Sequence, residues 1–274
     1  MQTISDREFL KIRNLVYDRF GINLTEEKRS LVVGRLQKIL ADRGFDSHET
    51  YCRFLVEDKT NQGLSELVNE ISTNFSYFYR ESAHFDFFVN HALPMTVSRL
   101  QSEGSRDIRI WSAGCSTGEE PYTLVMMMME YFGANYSSWE TGVLSTDISQ
   151  KVLDVARRAT YPADRIKGVP KVMRTKYFKS NGSGVVEVHE GLKSQVTFRR
   201  FNLMNTDFPF RKPFHMIFCR NVMIYFDSPT REALVRKFHE FIEPGGFLFI
   251  GHSETLGRQQ KLFEYVQPAT YMRI

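Results

Sequence analysis

Ten residues near the middle of the chain, Ser112-Ala113-Gly114-Cys115-Ser116-Thr117-Gly118-Glu119-Glu120-Pro121, combine small side chains with a pair of carboxylates. The run leaves the apolar Ile110-Trp111, which reads as the end of a strand, and Pro121 suits the first turn of a helix. Small residues let a backbone approach a ligand closely, and strand carboxyl ends are where open α/β sheets bind ligands. The spacing is not Gly-x-Gly-x-x-Gly, and Glu119 and Glu120 would repel phosphates, so a dinucleotide pyrophosphate is disfavoured. A glycine-rich turn with no ligand is the plainer alternative.

Asp147 ends the next strand-like run, Leu144-Ser145-Thr146-Asp147. A carboxylate placed there can accept from both hydroxyls of a ribose. Aspartate is also a common residue at helix starts, so alone it says little. Loop and acid together imply a nucleoside ligand without a pyrophosphate, a description that S-adenosylmethionine (SAM) meets.

A third group, Phe218-Cys219-Arg220-Asn221-Val222-Met223-Ile224-Tyr225-Phe226, follows an apolar strand. Met223, Ile224 and Phe226 read as packing, whereas Arg220, Asn221 and Tyr225 at a strand end are placed for a reacting group. A fourth, Thr73-Asn74-Phe75-Ser76-Tyr77-Phe78-Tyr79-Arg80, is either a polar strap over that cleft or an interdomain connection of packed aromatics.

The elements that must hold these groups fall into two kinds. Residues 1–72 read as helices: Ser5 and Glu8 have the spacing of a capping box, and Phe9, Ile12, Val16 and Phe20 follow at helical period. Gly21 ends that helix, Thr25 opens one running to Gly44, and shorter patterns span Thr50–Val56 and Leu64–Ile71. From Asp107 onward short strand runs alternate with helical stretches: Asp107–Trp111, Thr141–Thr146, Phe214–Cys219 and Phe247–Ile250 against Pro121–Phe132, Ser149–Ala159 and Pro229–Ile242. Such alternation predicts a mostly parallel sheet with helices on both faces. Lys176–Phe201, with its Asn181-Gly182-Ser183-Gly184 turn and Val186, Val188 and Val196–Phe198 runs, reads as a small antiparallel β insertion at about 176–201.

At 274 residues, 42% apolar and 25% charged, the chain can bury a sizeable core. Its longest apolar run is six residues, Leu124–Met129, which excludes a membrane-spanning helix and predicts no membrane insertion. Asp6, Arg7 and Glu8 stand where an export signal would be apolar. Cys52, Cys115 and Cys219 lack metal-ligand spacing, so neither a disulfide framework nor a metal site is expected, and a reducing cytoplasm fits. A net charge of +4 does not by itself imply nucleic acid.

These four segments, together with Gly251-His252-Ser253-Glu254, resemble the chemotaxis receptor methyltransferases of the CheR type. The Ser-Thr-Gly-Glu-Glu-Pro-Tyr and Cys-Arg-Asn-Val-Met-Ile-Tyr-Phe strings are specific, and the match covers nearly the whole chain. The resemblance implies a class I SAM-dependent methyltransferase (Rossmann-like) fold at 73–274, an all-α receptor-recognition domain at 1–72, and the β insertion. It implies methyl transfer from SAM to glutamate side chains on the cytoplasmic methylation helices of chemoreceptors, leaving S-adenosylhomocysteine, by a cytoplasmic monomer. By the same resemblance Asn74, Ser76 and Arg80 face the cofactor, Glu120 and Asp147 contact its methionyl and ribose parts, and Asn202 and Leu203 flank the adenine. Arg220 and Asn221 border the site, Arg80 orients the acceptor carboxylate, and Tyr225 stands beside the transferred methyl. The family's Thr-Asn-x-Thr-x-Phe-Phe-Arg string is altered at Ser76, which loses a methyl, and at Tyr79. Cys115 is assigned no role, and His252 reads as structural.

A glutamate carboxylate, with an unperturbed pKa of about 4.3, is already ionised at neutral pH, so attack on a sulfonium methyl needs no general base. The chain offers no evident His–carboxylate pair to serve as one, which leaves positioning and desolvation to the protein. Lys28, Arg35 and Lys38 fall within an arc of about 80° on a helical projection, opposite Val33, Leu36 and Leu40. A solvated helix face is the bland account; an acidic receptor helix docking on a free cationic stripe is the expectation adopted. A methyltransferase of RNA or a small molecule, or a SAM-loaded adaptor without catalysis, are the rival functions. RNA would call for basic and aromatic residues interleaved over a broad face, which is not seen.

Overall fold

A computed structural model describes residues 4–60, 62–72, 75–180, 182–257 and 261–274. Helix α1 (Asp6–Phe20) starts at the expected capping box: the Ser5 amide donates to Glu8 Oε2 at 2.8 Å, and the Glu8 amide to Ser5 Oγ at 3.3 Å. It stops at Gly21, whose left-handed φ of 68° side chains with a Cβ rarely adopt. The helix expected from Thr25 begins later. Glu26–Lys28 form a 3₁₀ turn, and α2 runs Arg29–Arg43, so Lys28 precedes the helix that carries Arg35 and Lys38. Helices α3 (His48–Glu57) and α4 (Gln62–Ile71) complete an all-α unit. Its core joins Phe9, Ile12 and Val16 of α1 to Val32 and Leu36 of α2, Tyr51 of α3 and Leu67 of α4, all essentially buried.

Two helices with no clear sequence signal follow. Helix α5 (Ser82–Phe87) passes through a π-helical turn at Phe88–Ala92 into α6 (Leu93–Ser102). The α/β part then runs β1 (Ile110–Ala113), α7 (Glu119–Phe132), β2 (Val143–Asp147), α8 (Gln150–Arg158), β3 (Thr160–Pro162), α9 (Lys171–Tyr177), β4 (Phe178–Ser180), β5 (Val185–Val188), α10 (Glu190–Lys193), β6 (Val196–Arg200), β7 (Phe214–Cys219), α11 (Ser228–Phe241), β8 (Ile242–Ile250), β9 (Phe263–Gln267) and β10 (Thr270–Arg273). The main sheet has seven strands in the order β6-β2-β1-β7-β8-β10-β9. The first five are parallel, and β10 and β9 close one edge antiparallel. Every residue of β1 and β7 is buried, as central strands covered on both faces require.

The chain winds outward from β1 through β2 to β6, then returns to β7 on the other side of β1. That reversal opens a crevice at the carboxyl ends of β1 and β7, where such sheets bind ligands.

The antiparallel insertion is present, but its membership needs correcting. Its sheet is β3-β5-β4, so it draws in Thr160–Pro162, upstream of the expected bounds. The Val196–Phe198 run expected within it belongs to β6, which pairs parallel with β2 from Val143↔Val196 to Asp147↔Arg200. The physical reason is alternation: Val196 and Phe198 are buried and the residues between and after them exposed, a pattern that suits a half-covered edge strand of any sheet.

Candidate functional site

The crevice is walled on one side by the strand ends and on the other by the helical unit, which contributes Phe20, Ile22 and Val68. Two glycines shape the loop after β1. Gly114 has φ 88°, and a Cβ there would lie 2.3 Å from Val222 Cγ2; Gly118 has φ 94°, and its Cβ would lie 2.8 Å from that of Ala156. The Gly114 and Cys115 amides both donate to the Thr146 carbonyl, at 2.8 and 2.9 Å, which ties the loop to the end of β2. A backbone stripped of side chains and fixed in place is thus presented to the crevice, as a ligand cradle needs. The Cys115 thiol lies buried in the same wall, and burial pushes its pKa well up, so it is no nucleophile.

Asp147 lines the crevice at the end of β2. Its two oxygens accept from the Ser116 and Ser149 amides, each at 2.9 Å, and each oxygen keeps a further lone pair. Burial pushes this carboxyl above its ordinary range despite those bonds. Glu120, on the first turn of α7, accepts from Ser112 Oγ at 2.7 Å and from Arg220 Nη1 at 2.8 Å. Arg220 is 3% exposed at its side chain, donates through Nη2 to Glu81 at 3.2 Å and to the Arg80 carbonyl, and stacks 5.1 Å over the Phe85 ring. Asn221 has left-handed φ 58°, donates its side-chain amide to Glu81 Oε1 at 3.1 Å, and gives its peptide N–H to Glu254 Oε2 at 3.1 Å.

Arg80 and Tyr225 both line the crevice. Arg80 Nη1 donates to the Phe75 carbonyl at 2.8 Å, which curls the strap back on itself. The Tyr225 ring lies under the Lys28 ammonium at 5.7 Å, and its carbonyl accepts from the Asn23 amide at 2.8 Å. Ser76 lines the crevice too, with its carbonyl held by Arg165, and the Arg165 guanidinium stacks 5.0 Å from the Phe75 ring. Asn202 and Leu203 complete the lining. The Asn202 side chain donates to the Arg19 carbonyl at 2.7 Å and accepts from the Met204 amide at 3.0 Å, so it anchors the wall to α1 while Leu203 supplies apolar surface. Asn74 lies outside the described residues.

Sequence reasoning missed two carboxylates. Glu81 directly follows the strap string and receives both Arg220 and Asn221. Glu254, 8% exposed, accepts from the amides of Gly251, Asn221 and Ile224, and burial raises its pKa. The Gly251-His252-Ser253-Glu254 string is visible in the sequence, but nothing in it marks Glu254 as the acceptor of three amides. Glu81, His84 and His252 bring potential ligand atoms within 4.8 Å of one another. The Glu81 carboxylate is already committed to Arg220 and Asn221.

The cationic stripe needs correcting as well. Arg35 is exposed and makes no ion pair among the described residues. Lys38 instead pairs with Glu70 at 3.2 Å, and Glu70 also holds Lys151 of α8 at 3.2 Å. Lys28 is half-buried beside Tyr225 rather than free. The helical projection places the three on one face but cannot show that α4 and the α/β part pack beside that face.

Residues 7–72 match the family model "CheR methyltransferase, all-alpha domain", and residues 74–272 match "CheR methyltransferase, SAM binding domain". A chemotaxis protein methyltransferase of Borreliella burgdorferi is 46% identical over 98% of this chain and 95% of its own. A probable one from Rhizobium etli is 34% identical over 94% and 96%, and one from Escherichia coli is 34% identical over 95% and 88%. With both domain models matched in order and the small-residue cradle, strand-end acid and polar strap around one crevice, the chain belongs to the CheR methyltransferase family.

Proposed function

We propose that this protein transfers the methyl group of SAM to glutamate carboxylates on the cytoplasmic methylation helices of chemoreceptors. Residues 1–72 recognise the receptor and residues 73–274 hold the cofactor. The observation that carries this is the shared crevice: Arg80 and Tyr225 line the same cavity as Glu120 and Asp147. The names of the relatives, all chemotaxis methyltransferases, support the receptor as substrate.

SAM supplies an electrophilic methyl on a sulfonium. A carboxylate oxygen of the acceptor forms the new C–O bond, the C–S bond breaks, and its electron pair stays on sulfur, leaving a methyl ester and neutral S-adenosylhomocysteine. A positive and a negative charge are consumed together, so exclusion of water by the crevice favours the step. In this reading Asp147 accepts from the ribose, Glu120 faces the methionyl part, and Leu203 and Asn202 flank the adenine. Arg220 and Asn221 border the site, and by the family resemblance Asn74 and Ser76 contact the cofactor. Arg80 orients the acceptor carboxylate by charge-assisted hydrogen bonds, and Tyr225 donates to it beside the methyl.

The test is incubation with methyl-labelled SAM and membranes containing chemoreceptors, followed by mild alkali. Receptor-bound label that leaves as volatile methanol supports a glutamate ester. Alkali-stable label, or label on RNA or a small molecule, would point to another methyltransferase. SAM binding without turnover would leave a SAM-loaded adaptor. Arg80→Lys should turn over poorly, because an ammonium cannot reproduce the planar fork.

A further inference from the structure

We infer that Glu81 is a positioning residue: one carboxylate that fixes the strap carrying Arg80 to the Arg220–Asn221 strand end and so sets cofactor binding. The inference rests on the assignment of Arg220 and Asn221 to the cofactor wall. Glu81 sits at the N-cap of α5, where a side chain ordinarily caps the helix, yet its carboxylate makes no capping bond. It reaches away from its own helix to the ends of two strands. Oε1 accepts from Asn221 Nδ2 at 3.1 Å, and Oε2 accepts from Arg220 Nη2 at 3.2 Å and from the His252 amide at 3.4 Å.

Both partners of the Glu81–Asn221 hydrogen bond hold left-handed backbones, φ 57° and 58°. Such conformations are disfavoured for residues with a Cβ and persist where the surroundings hold them, most often at functional sites. The bond joins two turns held in such conformations, and the Asn221 turn is held a second time through its peptide N–H by Glu254.

Arg220 makes the connection to the cofactor side. Its Nη1 grips Glu120, which Ser112 at the end of β1 also holds. Its Nη2 grips Glu81 and the Arg80 carbonyl. One guanidinium therefore joins the strap, β1 and β7, and Glu81 is the acid on the strap side. Burial alone would raise the Glu81 pKa, but Arg220 and Asn221 hold it below the usual range. Behind it His84 is fully buried, with Nδ1 3.5 Å from Glu81 Oε2. Burial and then Arg220 push His84 down to about 3, so it stays neutral and leaves the carboxylate to the guanidinium.

The experiment uses the full chain, calorimetric titration with SAM, receptor methylation and urea unfolding. Glu81→Gln keeps the shape but removes the charge beside Arg220 and sets an N–H₂ against the donor of one partner, Arg220 or Asn221. Its SAM dissociation constant should rise about tenfold or more, and kcat should fall with it, while the receptor KM changes little. Glu81→Gln combined with Asn221→Asp reverses donor and acceptor and restores a negative charge beside Arg220. This pair should regain at least a third of the lost affinity, and it provides a second folded variant if the single one is unstable. Glu81→Gln binding SAM and turning over within twofold of the parent would overturn the inference. So would a loss matched by the unfolded fraction, or a reversed pair no better than the single variant. A parent chain that does not bind SAM would sink the function proposal instead.

Discussion

The Lys28 ammonium lies 5.7 Å from the centroid of the Tyr225 ring, so a cation from the helical unit covers an aromatic of the crevice. Under the proposed function, recognition and chemistry would meet at that contact, and an incoming acidic side chain would pass it. A cation over an exposed ring contributes about 0.5–1 kcal/mol, which is small for stability. Lys28→Glu should therefore lower kcat/KM for receptor by about tenfold or more and leave the SAM dissociation constant within twofold. Receptor methylation beside a SAM titration measures both; an unchanged kcat/KM would remove Lys28 from the acceptor path.

Arg35 and Lys38 are not equivalent, although the sequence pairs them. Arg35→Glu should raise the receptor KM and flatten its dependence on ionic strength, because exposed charges at an interface rim mainly set association. Its unfolding free energy should stay within about 0.5 kcal/mol of the parent. Lys38→Glu sets a second carboxylate against Glu70, 3.2 Å from the present ammonium, and should also cost about 1 kcal/mol of stability. Equal melting temperatures for the two variants would show that the Glu70 bridge holds nothing together.

Asp147→Ala should weaken SAM by about 1.5–3 kcal/mol for each ribose hydrogen bond to the charged acceptor that is lost. It also frees the Ser116 amide, so the cradle after β1 should loosen. Amide exchange at Ser116 should accelerate along with the loss of affinity seen by calorimetry. Undiminished affinity would discredit the ribose assignment.

Two buried histidines make stability depend on pH. Burial first, then Arg220 or Arg109, lowers His84 to about 3 and His215 to about 4. An unfolded histidine titrates near ~6.5. Below that value the unfolded chain takes up protons that the folded chain refuses. The contribution is therefore complete above about pH 6.5 and falls as pH drops toward the folded values, by up to ~1.4 kcal/mol per pH unit for each histidine. Asp147, Glu119 and Glu254, all raised by burial, act in the opposite sense. The difference between parent and His215→Asn isolates one histidine. In urea unfolding between pH 6 and 5, the variant should lose about 1 kcal/mol less than the parent. Parallel pH profiles would show that His215 accepts its proton in the fold.

What the sequence displayed was whatever local pattern determines. The capping box at Ser5 and the apolar runs of β1, β2, β7 and β8 were readable because each is set by neighbours a few residues apart. The crevice residues Glu120, Asp147, Arg220, Asn221 and Tyr225 converge because they follow strand ends, and the strap brings Arg80 to the same place. Pairings between distant segments were hidden. Val196–Arg200 has the alternation of any edge strand, and only three-dimensional register assigns it to β2. Glu81 looks like an ordinary helix-start acid, and its partners Arg220 and Asn221 lie about 140 residues away. Lys38 reads as solvated until Glu70 is placed beside it.

The anchoring of Asn202 to the Arg19 carbonyl has a consequence for chimaeras. Because Phe20, Ile22 and Val68 wall the crevice, the helical unit would, under the proposed function, be part of the cofactor's container as well as a candidate receptor handle. Exchanging them with those of a relative to redirect partner choice should also alter SAM affinity, unless the Asn202 loop and Met204, against which Gly21 packs, travel with them. The unit that can be swapped without penalty is therefore discontinuous in sequence: a helical domain plus one distant loop.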